Sequence, residues 1–225
     1  MTTFQRARSE EQREIRRRAI LDAAAAMLTE MPVAQVSLNE LSRRVGLAKS
    51  NVLRYFESRE AVLLELLDVA LRNWLTEFDT ALADTADPTA PATDRADRLA
   101  ALIASSLARQ PVLCDLIGAQ AAVLERNVSP QVAAEYKRAA LANVGLLVGS
   151  VRRQLPELDE PGAFRFVAAA VMLTGAVWTH AEPSPAMLTA YQEDPELAAL
   201  RMDFTSTLRE MLEVHLTGLL ARAPH

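Results

Sequence analysis

Residues 36–56 read VSLNELSRRVGLAKSNVLRYF. Apolar residues recur at helical spacing on both sides of a single glycine: Leu38, Leu41 and Val45 before Gly46, Val52 and Phe56 after it. Ser37 stands where a helix N-cap accepts a backbone N–H, and Glu40 three residues on completes a capping box. Gly46 is the residue type that takes the left-handed conformation at a helix end. So tight a break sets an angle between two helices. Two helices joined by a turn of about three to four residues with a glycine make a helix-turn-helix, whose second helix enters the major groove of DNA. With Leu38, Leu41, Val45, Leu47, Val52 and Phe56 turned inward, Lys49, Ser50, Asn51, Arg54 and Tyr55 face outward. These types suit the task. Arginine pairs bidentately with guanine and asparagine with adenine, while lysine, serine and tyrosine bind phosphate oxygens.

The pattern extends in both directions. Upstream, Ile20, Ala24, Met27, Leu28 and Met31 predict a helix over 13–30, with Arg16, Arg17 and Arg18 among its polar positions and Pro32 closing it. Downstream, Ser58 caps a fourth helix whose apolar face runs from Val62 to Phe78 and which reaches about residue 82. Residues 83–93 read as a loop, and further helices are expected over 95–108, 112–125, 131–155, 161–180 and 202–221. Breaks fall at Pro111, Pro130, Pro156 and the stretch EPSPAMLTAYQEDP. The chain is therefore expected to be all-α, divided into an N-terminal domain over 1–58 and a C-terminal helical domain over 59–225.

Composition agrees. The 225 residues are 50% hydrophobic and 24% charged with only 7 glycines, which fits a helical globular chain. Residues 1–60, which include Arg6 and Arg8, hold 11 Lys and Arg against 8 Asp and Glu, whereas the remainder holds 13 against 21. A basic head on an acidic body suits an acidic partner for the head. No secretory signal is visible, and the apolar run 166–178 is shorter than the roughly 20 residues that cross a bilayer. It is expected to be a buried helix, with no membrane partner and a cytoplasmic location.

An all-helical enzyme is the competing class. His180, His215 and His225 have no glutamate three residues earlier, and there is no H-E-x-x-H, G-x-S-x-G or phosphate-cradling glycine loop. Cys114, the one cysteine, sits in PVLCDLIG and reads as a small buried hydrophobe. Catalysis, cofactor and metal are accordingly not expected.

Residues 13–66 resemble the DNA-binding head of the TetR family of transcriptional repressors, through RRRAILDAAAAML, the 36–56 segment and ESREAVLLELL. The resemblance implies that Lys49 and Tyr55 contact phosphates, that Ser50, Asn51 and Arg54 lie near base edges, and that Arg59 anchors the fourth helix to a phosphate. It implies that Ser37 caps the second helix beside the DNA backbone. Leu53 and Ala48 depart from the family pattern, which usually has tyrosine and serine or threonine there. The implied function is repression from a pseudo-palindromic double-stranded operator, relieved by an unidentified small-molecule effector in the C-terminal domain. The implied assembly is a homodimer through the two C-terminal helices, with Ala168, Val171, Met172, Gly175, Leu208, Met211, Leu212, His215 and Leu219 at or near the seam. Trp74, Phe78, Cys114, Phe166, Met172 and Trp178, with Tyr136, are the candidates for lining an effector pocket.

Overall fold

The computed structural model describes residues 3–223, with side chains from Glu10 onward; the side chains of Arg6 and Arg8, and all of His225, lie outside the described set. Its helices are α1 (Thr3–Glu30), α2 (Leu38–Arg44), α3 (Lys49–Val52), α4 (Arg59–Asp84), α5 (Ala92–Ala108), α6 (Pro111–Ala119), α7 (Pro130–Gln154), α8 (Glu160–Ala181), α9 (Pro185–Glu193), α10 (Pro195–Ala198) and α11 (Phe204–Leu220). Short 3-10 turns lie at Val33–Gln35 and Leu124–Arg126. No strand occurs among the described residues, as the helical periodicity and scarcity of glycine require.

The chain packs as two units, one of Met1–Val69 with Ala119–Arg138 and one of Ala70–Gly118 with Ala139–His225. Whereas the division at 58/59 precedes α4, the packing divides α4 itself. Helices as short as α2 and α3 bury too little apolar surface to close a core alone, and α4 opens with the buried run Ala61, Val62, Leu63 and Leu64. In the first unit Ile20, Ala24 and Met27 of α1 are buried together with Val33, Val36, Leu41, Val52 and Phe56. The later segment of this unit is fastened by polar bonds, since the Ser129 N–H donates to the Glu57 carboxylate at 2.6 Å and the Ser129 hydroxyl caps α7.

In the second unit α11 packs on α5 and α8. Its buried residues Phe204, Leu208, Leu212 and Leu216 are spaced four apart, and α5 answers with Ala96, Leu99, Ala100, Ile103, Ala104 and Leu107. Arg95 is nine-tenths buried yet fully engaged: its guanidinium donates to the Ala90 carbonyl at 3.0 Å, to the Gln154 carbonyl and to the Glu157 carboxylate, which it holds below the usual carboxylate range. Glycine brings α6 and α8 into backbone contact, because a Cβ on Gly175 would lie 3.2 Å from the Gly118 Cα.

Several helix expectations change. The first helix, expected over 13–30, begins at Thr3. The helix over 112–125 stops at Ala119, where the Glu125 N–H bonds instead to the Gln120 carbonyl and the Gln120 amide to the Glu125 carboxylate. The stretch read as a break contains α9 and ends on the first residue of α10, each helix having proline at its first position and a side-chain cap, Ser184 on the Met187 N–H and Asp194 on the Glu196 N–H. Proline is compatible with a first helical turn, and neither helix buries a residue, so no apolar period marked them. The helix expected over 161–180 forms as α8, whose 22 residues are long and apolar enough to cross a membrane by composition, although the run 166–178 alone is not. Here α8 serves as a core helix, with Ala163, Phe166, Val167, Ala170 and Val177 buried.

Candidate functional site

The Ser37 hydroxyl accepts the Glu40 N–H at 3.2 Å and so starts α2. At the other end Gly46 has φ 65°, the one positive φ among the described residues, and the Leu47 N–H returns to the Ser42 carbonyl at 3.0 Å. No heavy atom lies within 4 Å of where a Gly46 Cβ would be, so conformation and not crowding demands glycine there. The Ala48 carbonyl then receives the Asn51 and Val52 N–H groups, opening α3. This helix covers only Lys49–Val52, followed by a turn through Tyr55, so the segment expected over 49–56 is one helical turn with an extension.

Lys49, Ser50, Asn51 and Arg54 are exposed, and their side chains make no hydrogen bond or ion pair among the described residues. Ser37 is exposed beside them, Tyr55 is half-buried, and Leu53 is 40% exposed. Arg59 points elsewhere: its guanidinium donates to the Val36 carbonyl at 2.8 Å and pairs with Glu60 at 3.1 Å, while its Nε is buried without a partner. In this conformation Arg59 ties the start of α4 to the segment before α2.

Behind the exposed row lies a residue that sequence reasoning passed over. Arg17 donates to the Tyr55 carbonyl at 2.7 Å, pairs with Glu65 of α4 and covers the Phe56 ring at 4.3 Å. Burial raises the Glu65 carboxyl above its ordinary range against the pull of Arg17. A signal for this role existed, since Arg17 shares the helical face of Ile20, Ala24 and Met27. Gln12, Arg13, Ile15, Arg16 and Ala19 line an open groove with Arg54 and Tyr55, which adds two exposed arginines to the outward set. The α2 helix is braced by Arg44, bidentate to Glu30 at 2.8 and 2.6 Å, and by Glu40, which Arg43 and then Arg44 hold at a pKa of about 2.

The second unit holds an apolar cavity of about 30 Å³ lined by residues that include Trp74, Ile103, Leu147, Val167, Asn143 and Thr174. Of the candidates for lining a pocket, only Trp74 reaches it. Phe78 stacks on Trp74 at 5.0 Å, Phe166 on His215 at 6.1 Å, and Trp178 meets Phe204 edge to face at 5.2 Å. Met172 is 68% exposed, and Tyr136 is buried in the first unit. Cys114 is buried with its thiol donating to the Leu107 carbonyl at 3.4 Å, and burial pushes its pKa up to about 12, the reverse of an activated nucleophile.

On the outer face of α8 and α11, Met172, Met211 (39% exposed) and Val214 (69%) remain in solvent. Leu208 and Leu212 are buried within the unit and Gly175 rests on Gly118, so these three seam candidates already have neighbours in their own chain.

Residues 20–66 match the family described as bacterial regulatory proteins, tetR family, and residues 68–223 match the tetracyclin repressor-like C-terminal domain. The chain is 31% identical over 167 residues to the HTH-type transcriptional repressor LfrR of Mycolicibacterium smegmatis, covering 72% of this chain and 78% of that one. It is 35% identical over 74 residues to the HTH-type transcriptional regulator EthR of the same organism, covering 32% of this chain and 34% of that one. Among solved structures, a possible TetR family transcriptional regulator from Streptomyces coelicolor A3(2) superposes with a TM-score of 0.60 at 19% identity, covering 92% of this chain and 99% of the other, which shows the fold.

Proposed function

The chain belongs to the TetR family of bacterial regulators, and from that premise we propose how its residues divide the work. It is a sequence-specific DNA-binding transcriptional regulator, a repressor that a small molecule bound in the C-terminal domain releases from its operator. Residues 1–58 form the domain that reads DNA, and residues 59–225 carry effector binding and dimerisation. Asn51 and Arg54 read base edges, with Ser50 beside them, because these side chains are exposed and uncommitted. Lys49, Tyr55 and Ser37 meet the phosphate backbone, joined by Arg13 and Arg16 from the groove on α1. Arg59 reaches a phosphate by exchanging its Val36 bond, a change that the unpartnered Nε favours. The regulator works in the cytoplasm, where the chromosome is.

The observation that carries this reading is the contrast across residues 49–54: four polar side chains unpartnered among the described residues in front, and a backbone held by Arg17 and the Gly46 turn. Two such helices spaced about 34 Å apart require a two-fold dimer. The outer face of α8 and α11, with Met172, Met211 and Val214 in solvent, is the proposed seam.

Selection of bound fragments from a random duplex pool, followed by sequencing, tests the reading. Enrichment of a pseudo-palindrome with half-sites about one helical turn apart is expected. Weak binding at low salt with no enriched sequence would remove it.

A further inference from the structure

We propose that Leu53 is a specificity-determining residue of the DNA surface, and that it selects a thymine in each operator half-site by covering the methyl group of that base. The proposal rests on the assignment of residues 49–55 to the major groove and adds a residue to which that assignment gives no role. Leu53 closes α3: its N–H bonds to the Lys49 carbonyl at 3.0 Å, and its φ of −64° and ψ of −11° carry the helical turn one residue further. Standing four residues after Lys49 and three after Ser50, it shares their face, with Arg54 beside it. The neighbours that turn inward are Val52 and Phe56, both buried. Leu53 itself is 40% exposed, an apolar side chain set in a row of exposed polar ones.

A single exposed leucine needs no explanation by its exposure; this one is set apart by its place. A docking that brings Asn51 and Arg54 to base edges carries the residue between them into the same groove. Leucine finds one complementary feature there. Purine N7 and guanine O6 are acceptors, and the amino groups of adenine and cytosine are donors. Covering any of these with an apolar side chain removes its water and returns no hydrogen bond. The thymine methyl is the apolar group of that surface. Cytosine in the same place loses the methyl and presents an amino group instead, so attraction to the right base and penalty at the wrong one act in the same direction. The family pattern usually has tyrosine here, whose hydroxyl can bond to a phosphate. Leucine has no such group, so its contribution is apolar.

The test uses the full-length protein and the operator recovered from the random duplex pool. Each thymine of a half-site is replaced in turn, together with its symmetry mate, by deoxyuracil, which removes the methyl groups and leaves every hydrogen-bonding group in place. At one position the native protein is expected to lose about tenfold in affinity, roughly the burial of one methyl in each half-site. Leu53→Ala is expected to bind the thymine and deoxyuracil operators alike at that position. Leu53→Met, with an apolar chain of similar volume, is expected to keep most of the preference. The ratio of the two affinities does not depend on how much of a variant is folded. An apolar contact releases no counterion, so Leu53→Ala is also expected to leave the salt slope unchanged, unlike Lys49→Ala. A merely structural Leu53 would weaken both operators by one factor and leave the thymine preference intact, which overturns the proposal. Failure to enrich any operator removes this proposal together with the DNA reading beneath it, whereas an enriched operator indifferent to its methyl groups removes this proposal alone.

Discussion

The recognition segment of the first unit and the cavity of the second are ordered by opposite means. Around α3 the side chains proposed to meet DNA are exposed and unpartnered among the described residues, and order resides in the backbone, held by the Gly46 turn and the Arg17 guanidinium, with the Ser37 cap starting α2. Around the cavity the side chains hold one another, and polar groups such as the Trp74 indole and the Thr174 hydroxyl are satisfied within a short distance. A duplex is a rigid polyanion that brings its own order, so the protein can leave its contacts exposed and hydrated until they meet it. The core of the second unit achieves its order by apolar side chains closing on themselves.

The sharpest way to break this contrast is to delete packing. Phe78→Ala is expected to cost about 3–5 kcal/mol, read by urea unfolding, because the ring is fully buried and stacked on Trp74. Leu53→Ala in the recognition segment is expected to change stability far less, by no more than about 1 kcal/mol, since that side chain is 40% exposed. Similar losses in the two variants would erase the distinction. Next in size is discrimination at the DNA surface. Arg54→Ala is expected to cost about 1–3 kcal/mol at one base pair of the selected operator, whereas Lys49→Ala weakens all sequences alike and lowers the salt slope by about 1. Competition gel shifts at several salt concentrations separate the two.

A smaller effect sharpens the claim that backbone order serves the head. Gly46→Ala is expected to destabilise the protein by about 1–2 kcal/mol in thermal unfolding, because alanine is strained at φ 65° even with open space around it. Smallest is the acid response of the α2 brace. Glu40 is held at about 2, below its ordinary 4.5, by Arg43 and Arg44, so its stabilisation is complete above about pH 4.5 and lost as the pH falls toward 2. Because the group is exposed, salt screens the effect. The melting temperature of the native protein should fall more steeply than that of Glu40→Gln across this range, with the gap closing in concentrated salt.

The head was legible in its amino acids because its signals are local. A cap bonds three residues ahead, a glycine turn declares its own φ, and an outward row follows from one turn of helix. Arg17 was equally legible by its place on the Ile20, Ala24 and Met27 face, but an arginine there was read as surface. Other features were decided by the fold alone. Period 3.6 announces that Trp74, Phe78, Phe166 and Trp178 meet something, yet it cannot say that only the first faces a cavity while the others stack on neighbours. Nor can it turn Leu208 and Leu212 toward their own unit, leave Met211 and Val214 in solvent, or send Arg59 to the Val36 carbonyl. Those outcomes depend on which helices approach, and at what distance, between residues far apart in the chain. Capping, turns and exposure are settled within a few residues, but the partner of a buried face is chosen only when separate helices pack.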